Sequence, residues 1–277
     1  MLEHATHTAG AESTSEVLCS IVIPAYNEEH RITPTLERIA AHLSTFAGQT
    51  EIIVVDDGSR DGTTTAVHHA AQSLPANVEL RLLSYEPNRG KGAAVRTGCL
   101  AAVGRYVLFT DADLATPIEE ASKLYAALDA GNDVAIGSRI QPDGQDHRST
   151  QPAYRRALGK VYHGLVSLLT VPGIDDTQCG FKAFTHQAAQ ALFSRQTLNS
   201  IVFDTELLFL AQQSGMRVAQ VPVSWSNIAG SRMNVTIGHA VRVMLDLCSI
   251  RLRRYADAPA EAIPASKAKT ERPPTPM

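Results

Sequence analysis

Residues 108–116, LFTDADLAT, set a short apolar run directly against two aspartates one residue apart. An apolar run of this length, β-branched or aromatic and with no polar alternation, is what a strand buried on both faces looks like. Asp111 and Asp113 then fall at its carboxyl end, where each carboxylate raises the cost of ionising the other. A positive group is expected between them. Carboxylates at i and i+2 flanking a small residue suit a hard divalent cation, Mg²⁺ or Mn²⁺, which prefers oxygen ligands and commonly shares them with substrate phosphates. The competing role, helix capping by Asp113, is weakened because Thr116 is placed to cap the next helix, with Pro117 in its first position and Glu119 closing a capping box.

Similar runs lie on either side. CSIVIP (19–24), EIIVV (51–55), VELRLLS (78–84), RYVLFT (105–110) and DVAIGS (133–138) read as strands apolar on both faces, separated by helix-like segments. This is the alternation of an α/β protein with a mostly parallel, Rossmann-like sheet flanked by helices. In such sheets ligands gather at the carboxyl ends of the strands. The polar residues concentrate there: PAYNEE (24–29), DDGSRDG (56–62), DADLATP (111–117) and GSR (137–139). DDGSRDG also has the composition of a solvated turn. Asp56, however, follows an unbroken apolar strand, the position of acidic residues that accept hydrogen bonds from a base or ribose. NRGKGAA (88–94) fails both Walker A and GxGxxG spacing and remains a basic, glycine-rich helix start suited to an anion or nucleotide.

The second half is more helical. AYRRALGKVYHGLVSLL (153–169) and FDTELLFLAQQSG (203–215) read as helices, RVAQVPVSW (217–225) as a strand, and 237–254 as an amphipathic helix with Ile237, Val241, Met244, Leu245, Cys248 and Leu252 on one stripe and a basic end. The expected organisation is a disordered segment 1–16, a catalytic domain 17–234, the amphipathic helix within 235–256, and a disordered, Ala- and Pro-rich tail 257–277.

Composition narrows the function. Lys and Arg (25) nearly balance Asp and Glu (28), which gives no global charge for nucleic acid. Four scattered cysteines without metal spacing read as reduced, packed thiols. No segment reads as a secretory signal or approaches the ~20 apolar residues of a membrane span. The expected location is cytoplasmic.

In order along the chain, SIVIPAYNEE, EIIVVDDGSRDGT, NRGKGAAVRTG, YVLFTDADLATP, GSR, DTQCGFKAF, FDTELLFLA and GSRMNV resemble the family 2 glycosyltransferases of GT-A fold, specifically the dolichyl-phosphate β-glucosyltransferases and their bacterial polyprenyl-phosphate relatives. The resemblance covers roughly residues 17–255. It implies a UDP-sugar held by Pro24, Tyr26, Glu28, Asp56 and Lys91, with a metal on Asp111 and Asp113. Where related mannosyl-phosphate enzymes carry a further metal-serving Gln, two positions past the motif, this chain has Ala115.

It further implies an inverting transfer, most simply of glucose from UDP-glucose, to a polyprenyl or dolichyl phosphate clamped by Arg139, Arg155, Arg156 and Arg232, because guanidinium matches phosphate oxygens. Gln178 and Lys182 would shape the sugar and acceptor pocket. Asp204 would act as a base or orient an arginine or sugar hydroxyl, and Cys179 would pack. A lipid acceptor implies a peripheral position at the cytoplasmic membrane face, with helix 237–254 as the contact. The alternatives are GDP-mannose as donor, a soluble hydroxyl acceptor, or a silent nucleotide-sugar binder.

Overall fold

The computed structural model describes residues 17–141, 164, 170–226 and 237–255. The expected helix 153–169, Arg155, Arg156, Arg232, the leading segment and the tail lie outside these, apart from Gly164.

Seven strands form one sheet: β1 (Val17–Ala25), β2 (Gln49–Asp56), β3 (Val78–Ser84), β4 (Tyr106–Thr110), β5 (Val134–Ser138), β6 (Phe181–Thr185) and β7 (Val218–Pro222). Their order is β3-β2-β1-β4-β6-β5-β7. Only β6 runs against the others, pairing antiparallel with both β4 and β5.

Helices α1 (Ile32–Leu43), α2 (Thr63–Ala70) and α4 (Ala121–Asp129) cover one face. The other is covered by α3 (Lys91–Ala101), α5 (His186–Arg195), α6 (Phe203–Gln213) and α7 (Ile237–Leu252). Alternate strand residues feed the two cores: Ile21, Ile52 and Leu108 pack toward α1, whereas Val22, Ile53 and Phe109 pack toward α3 and α6. Both faces being buried is why these strands read as continuous apolar runs.

Three expectations are corrected. β3 is an edge strand whose residues are mostly half-exposed, so its apolar side chains are not covered on both faces. β6, which the sequence did not reveal as a strand, lies between β4 and β5 and runs antiparallel to both. The capping box does not form: Pro117 is extended, a 3₁₀ turn over Ile118–Glu120 precedes α4, and Glu119 instead takes two hydrogen bonds from the Arg38 guanidinium. Thr116 is buried and hydrogen-bonds the Cys179 thiol.

Candidate active site

Pairing of β1 with β4 ends at Val22 and Phe109, while β1 and β2 pair on to Ala25 and Asp56. β1 turns outward to β2 and β3 on one side and β4 leads to the rest of the sheet on the other, so the crevice past their carboxyl ends is the topological switch point where open α/β sheets bind ligands. Pro24, half-buried, and Tyr26, 40% exposed, line the β1 side. Asp111 and Asp113 follow β4.

The DAD turn is braced on several sides. The Thr35 hydroxyl of α1 donates to the carbonyl of Ala112, between the two aspartates, at 2.6 Å. The Leu114 amide closes onto the Asp111 carbonyl at 3.1 Å, with Leu114 in the left-handed region at φ 47°. A non-glycine residue there costs of order 1–3 kcal/mol and persists only where its surroundings enforce it. Across from the turn, antiparallel β6 brings Gly180 so close that any Cβ at that position would collide with the Asp111 carboxylate. Glycine in the QCGF stretch therefore leaves the space that Asp111 occupies.

The positive group expected between the carboxylates is present as a side chain. Lys91, first residue of α3, places its ammonium 2.5 Å from Asp111. Burial works against that ammonium, but Asp111, Asp204 and Asp113 outweigh it, and the Lys91 pKa is raised. Burial pushes the Asp113 carboxyl up, and the charge of Asp111 pushes it further; the Ala115 amide, Lys91 and Arg31 only partly oppose this. The ammonium pairs with Asp111 and leaves Asp113 without an ion pair among the described residues, a negative charge that a divalent cation would relieve. The donor set fits Mg²⁺ or Mn²⁺: hard oxygens on two side chains and, among the described residues, no group of three His, Cys, Asp or Glu for an all-protein cage, so substrate phosphate and water would have to supply the remaining ligands.

The two loops beside this turn are fastened to each other. Asp56 accepts from the Ser59 amide at 2.9 Å and the Thr64 hydroxyl at 2.8 Å, holding its own turn in shape. Asp57, which the sequence reading passed over, accepts from the amides of Arg89 and Gly90 at 2.7 and 2.9 Å. The glycine-rich start of α3 thus already holds an anion, and it belongs to the protein; the second aspartate of DDGS was the available signal. Glu28 pairs with Arg31 at 2.8 Å, and its amide donates to the Thr63 hydroxyl.

On the far side the expected acceptor residues are redistributed. Lys182 is wholly buried, its ammonium 2.5 Å from Asp204 and 2.6 Å from the Cys179 carbonyl, so it is not a pocket residue. Burial raises the Asp204 carboxyl despite Lys182 and Lys91. Arg139 clasps Asp176, also missed in the sequence, through Nε at 2.7 Å and a second nitrogen at 2.6 Å, and its guanidinium lies 5.6 Å from the Trp225 ring centre. Gln178 is half-buried, with its amide 3.4 Å from the Ile201 carbonyl. Cys179 is buried, its thiol pushed up to about 11 chiefly by burial, which makes it packing and not a nucleophile.

The family model described as Glycosyl transferase family 2 matches residues 20–193, and a dolichyl-phosphate beta-glucosyltransferase of Trichomonas vaginalis is 42% identical over 250 residues, 87% of this chain and 72% of that protein. The chain belongs to glycosyltransferase family 2. Dolichyl-phosphate beta-glucosyltransferases of Drosophila melanogaster (38% identity; 80% of this chain, 71% of theirs) and Homo sapiens (36%; 86% and 76%) are also similar to this transferase. In three dimensions it resembles the glucosyl-3-phosphoglycerate synthase of Mycobacterium tuberculosis solved with UDP, at a TM-score of 0.61 and 20% identity, over 84% of this chain and 80% of that one. The likeness shows the fold, which is of the expected GT-A type. Other structures of that synthase contain Mn²⁺ or Mg²⁺ together with UDP.

Proposed function

We propose that this transferase moves glucose from UDP-glucose to a dolichyl- or polyprenyl-phosphate with inversion at the anomeric carbon. The observation behind the choice of acceptor is the burial of Lys182 on Asp204. The carboxylate nearest in position to a general base is committed to an ammonium 2.5 Å away and is itself 3% exposed. An acceptor hydroxyl would need that base. A phosphomonoester, with a second pKa of ~6, arrives ionised and needs none.

Tyr26 and the Asp56–Asp57 turn border the nucleotide, and Asp111 and Asp113 are the residues that would hold a divalent cation. That cation, when bound, neutralises the donor diphosphate. Lys91 then passes from Asp111 to the diphosphate and stabilises its charge as UDP departs. An acceptor phosphate oxygen forms the bond to the anomeric carbon while the bond from that carbon to the diphosphate oxygen breaks, its electron pair leaving on UDP. Arg139, held flat by Asp176, faces the incoming phosphate; the sequence-based candidates Arg155, Arg156 and Arg232 lie outside the described residues.

The membrane contact is α7. No described helix is long and apolar enough to cross a membrane. Instead, α7 buries Leu247 and Ile250 against the domain and leaves Leu245 65% and Leu252 83% exposed beside Arg242, Arg251, Arg253 and Arg254. An apolar strip flanked by arginines suits an anionic interface.

A panel of UDP-glucose and GDP-mannose, each with a short polyprenyl phosphate or 3-phosphoglycerate and Mn²⁺, tests the reading by nucleotide release. Release of UDP with the lipid phosphate alone is expected. Release only with the soluble acceptor would overturn it. Arg139→Ala should raise the lipid-phosphate KM far more than it weakens UDP; equal losses would move Arg139 to the donor diphosphate.

A further inference from the structure

Glu206 is fully buried in α6 and makes no ion pair among those found at described residues. Its carboxylate accepts from the Thr197 amide at 3.1 Å on each oxygen, from the Thr197 hydroxyl at 2.6 Å and from the Leu198 amide at 2.8 Å. Burying a carboxylate is costly unless its lone pairs are met, and here neutral donors of one short loop, 196–200, meet them. The hydroxyl of Tyr255, past the end of α7, lies close enough for the charge of Glu206, after burial, to raise its pKa.

What rests on that loop is the start of α3. The Gly92 amide donates to the Asn199 carbonyl at 3.0 Å, and the Gln196 side chain donates to the carbonyls of Gly92 and Leu198 at 2.9 and 2.8 Å. The seat is tight: a Cβ on Gly90 would come within 2.7 Å of the Asn199 carbonyl oxygen, and one on Gly92 within 2.7 Å of the Leu198 carbonyl oxygen. Lys91 lies between these two glycines. Its backbone has no latitude to move unless loop 196–200 moves.

We infer that Glu206 is a positioning residue for the donor site: it fixes loop 196–200, the loop seats Gly90 and Gly92, and the seat aims Lys91 at the crevice. This rests on the reading of Lys91 as a ligand of the donor diphosphate. Asp204, two residues earlier in the same helix, reaches the same lysine electrostatically, so one turn of α6 acts on Lys91 both through space and through the backbone. The FDTELL stretch thus serves the donor lysine, although its carboxylates resemble candidate bases.

The test is a double-mutant cycle read as UDP affinity, measured by calorimetry on the full chain with Mn²⁺. Lys91→Ala alone should weaken UDP. Glu206→Gln keeps the shape of the side chain but turns half of its acceptor capacity into donors that face other donors, and should weaken UDP roughly tenfold, as loss of outer support does at ligand sites. In the Lys91→Ala background Glu206→Gln should then change UDP affinity by less than about twofold, because coupled residues are not additive. Should Glu206→Gln fail to fold, Gln196→Met, which breaks the loop from Gly92 without touching Glu206, enters the same cycle with the same expectation. Equal losses with and without Lys91 would make loop 196–200 a general fold element and overturn the inference. Unchanged UDP affinity in Lys91→Ala would remove the donor reading of Lys91 and the inference together.

Discussion

The carboxylates on the two sides of the crevice are satisfied in different ways. On the β1–β4 side, Asp56, Asp57 and Asp61 accept from backbone amides and hydroxyls, and of Asp111 and Asp113 it is Asp111 that pairs with the Lys91 ammonium. Across β6 and α6, Asp176 has its guanidinium and Asp204 its ammonium, charge against charge. Hydrogen bonds from neutral donors hold a carboxylate in place but leave its charge uncancelled. The donor side is therefore left net negative at its mouth and ready for cations, while the far side is neutralised before any substrate arrives.

The largest effect should come from deepening or removing that negative excess. Asp113→Ala is expected to lower turnover by roughly 10²–10³-fold, the scale of losing one preorganised electrostatic partner of the leaving group. The fold should persist, because Asp113 accepts a hydrogen bond from the Ala115 amide at 3.1 Å, two residues along its own turn, and forms no ion pair with another element among the described residues. Circular dichroism and nucleotide release measured side by side check both halves. Wild-type turnover with undiminished metal dependence would take the cation away from this pair and erase the contrast between the two sides.

Next in size is the stability of the neutralised side. Lys182→Met removes the ammonium and strands a buried carboxylate, which should cost about 3–5 kcal/mol. The double variant Lys182→Met with Asp204→Leu replaces the pair by apolar groups of similar volume and should recover most of that loss in urea unfolding. A single variant as stable as wild type would mean that water reaches Asp204. A double variant that recovers stability but binds UDP poorly would show that Asp204 supports Lys91 as well as pairing with Lys182.

Legibility in the sequence follows the same division. The strands flanked by two cores were readable because burial on both faces leaves unbroken runs such as IVI at 21–23 and VLF at 107–109. β6 was not read as a strand: FKAFT carries a lysine at its second position, and nothing local says that its partner is Asp204 in another element. The DAD pair was legible from charge repulsion alone, but the ammonium supplied by Lys91 depends on α3 packing across β4. Asp204 was read as a base or an orienting group because a carboxylate in an apolar helix looks the same whether it meets a substrate or the ammonium of a neighbouring strand. In α7 the apolar residues fall on two sides. Of the stripe read in the sequence, Leu245, Cys248 and Leu252 are exposed, whereas the contact with the domain is made by a second set, Val243, Leu247 and Ile250, which the stripe does not include.

That two-sided helix gives the smallest expected effect, and it reaches the crevice from a third direction. α7 is anchored inward by the Ser200 hydroxyl on Asp246 at 2.7 Å, by Arg253 on the Thr197 hydroxyl at 2.9 Å, and by Tyr255, whose ring meets that of Phe209 at a tilt of 47°. Its one acid is thereby turned to the domain, and the outer face keeps two exposed leucines among arginines. Each arginine near an anionic surface contributes about 1 kcal/mol, and each buried methylene roughly 0.8 kcal/mol, enough together for reversible docking by one short helix. Arg251→Glu with Arg254→Glu spares the inward anchors and reverses the charge of the outer face. Wild-type protein should sediment with anionic liposomes in a salt-sensitive way, and the double variant should lose that binding and several-fold of its turnover on a bilayer-embedded acceptor, while UDP affinity stays unchanged. If the variant binds vesicles and turns over the lipid acceptor as wild type does, the exposed leucines face something other than a membrane. The crevice would then have to meet its acceptor by another surface.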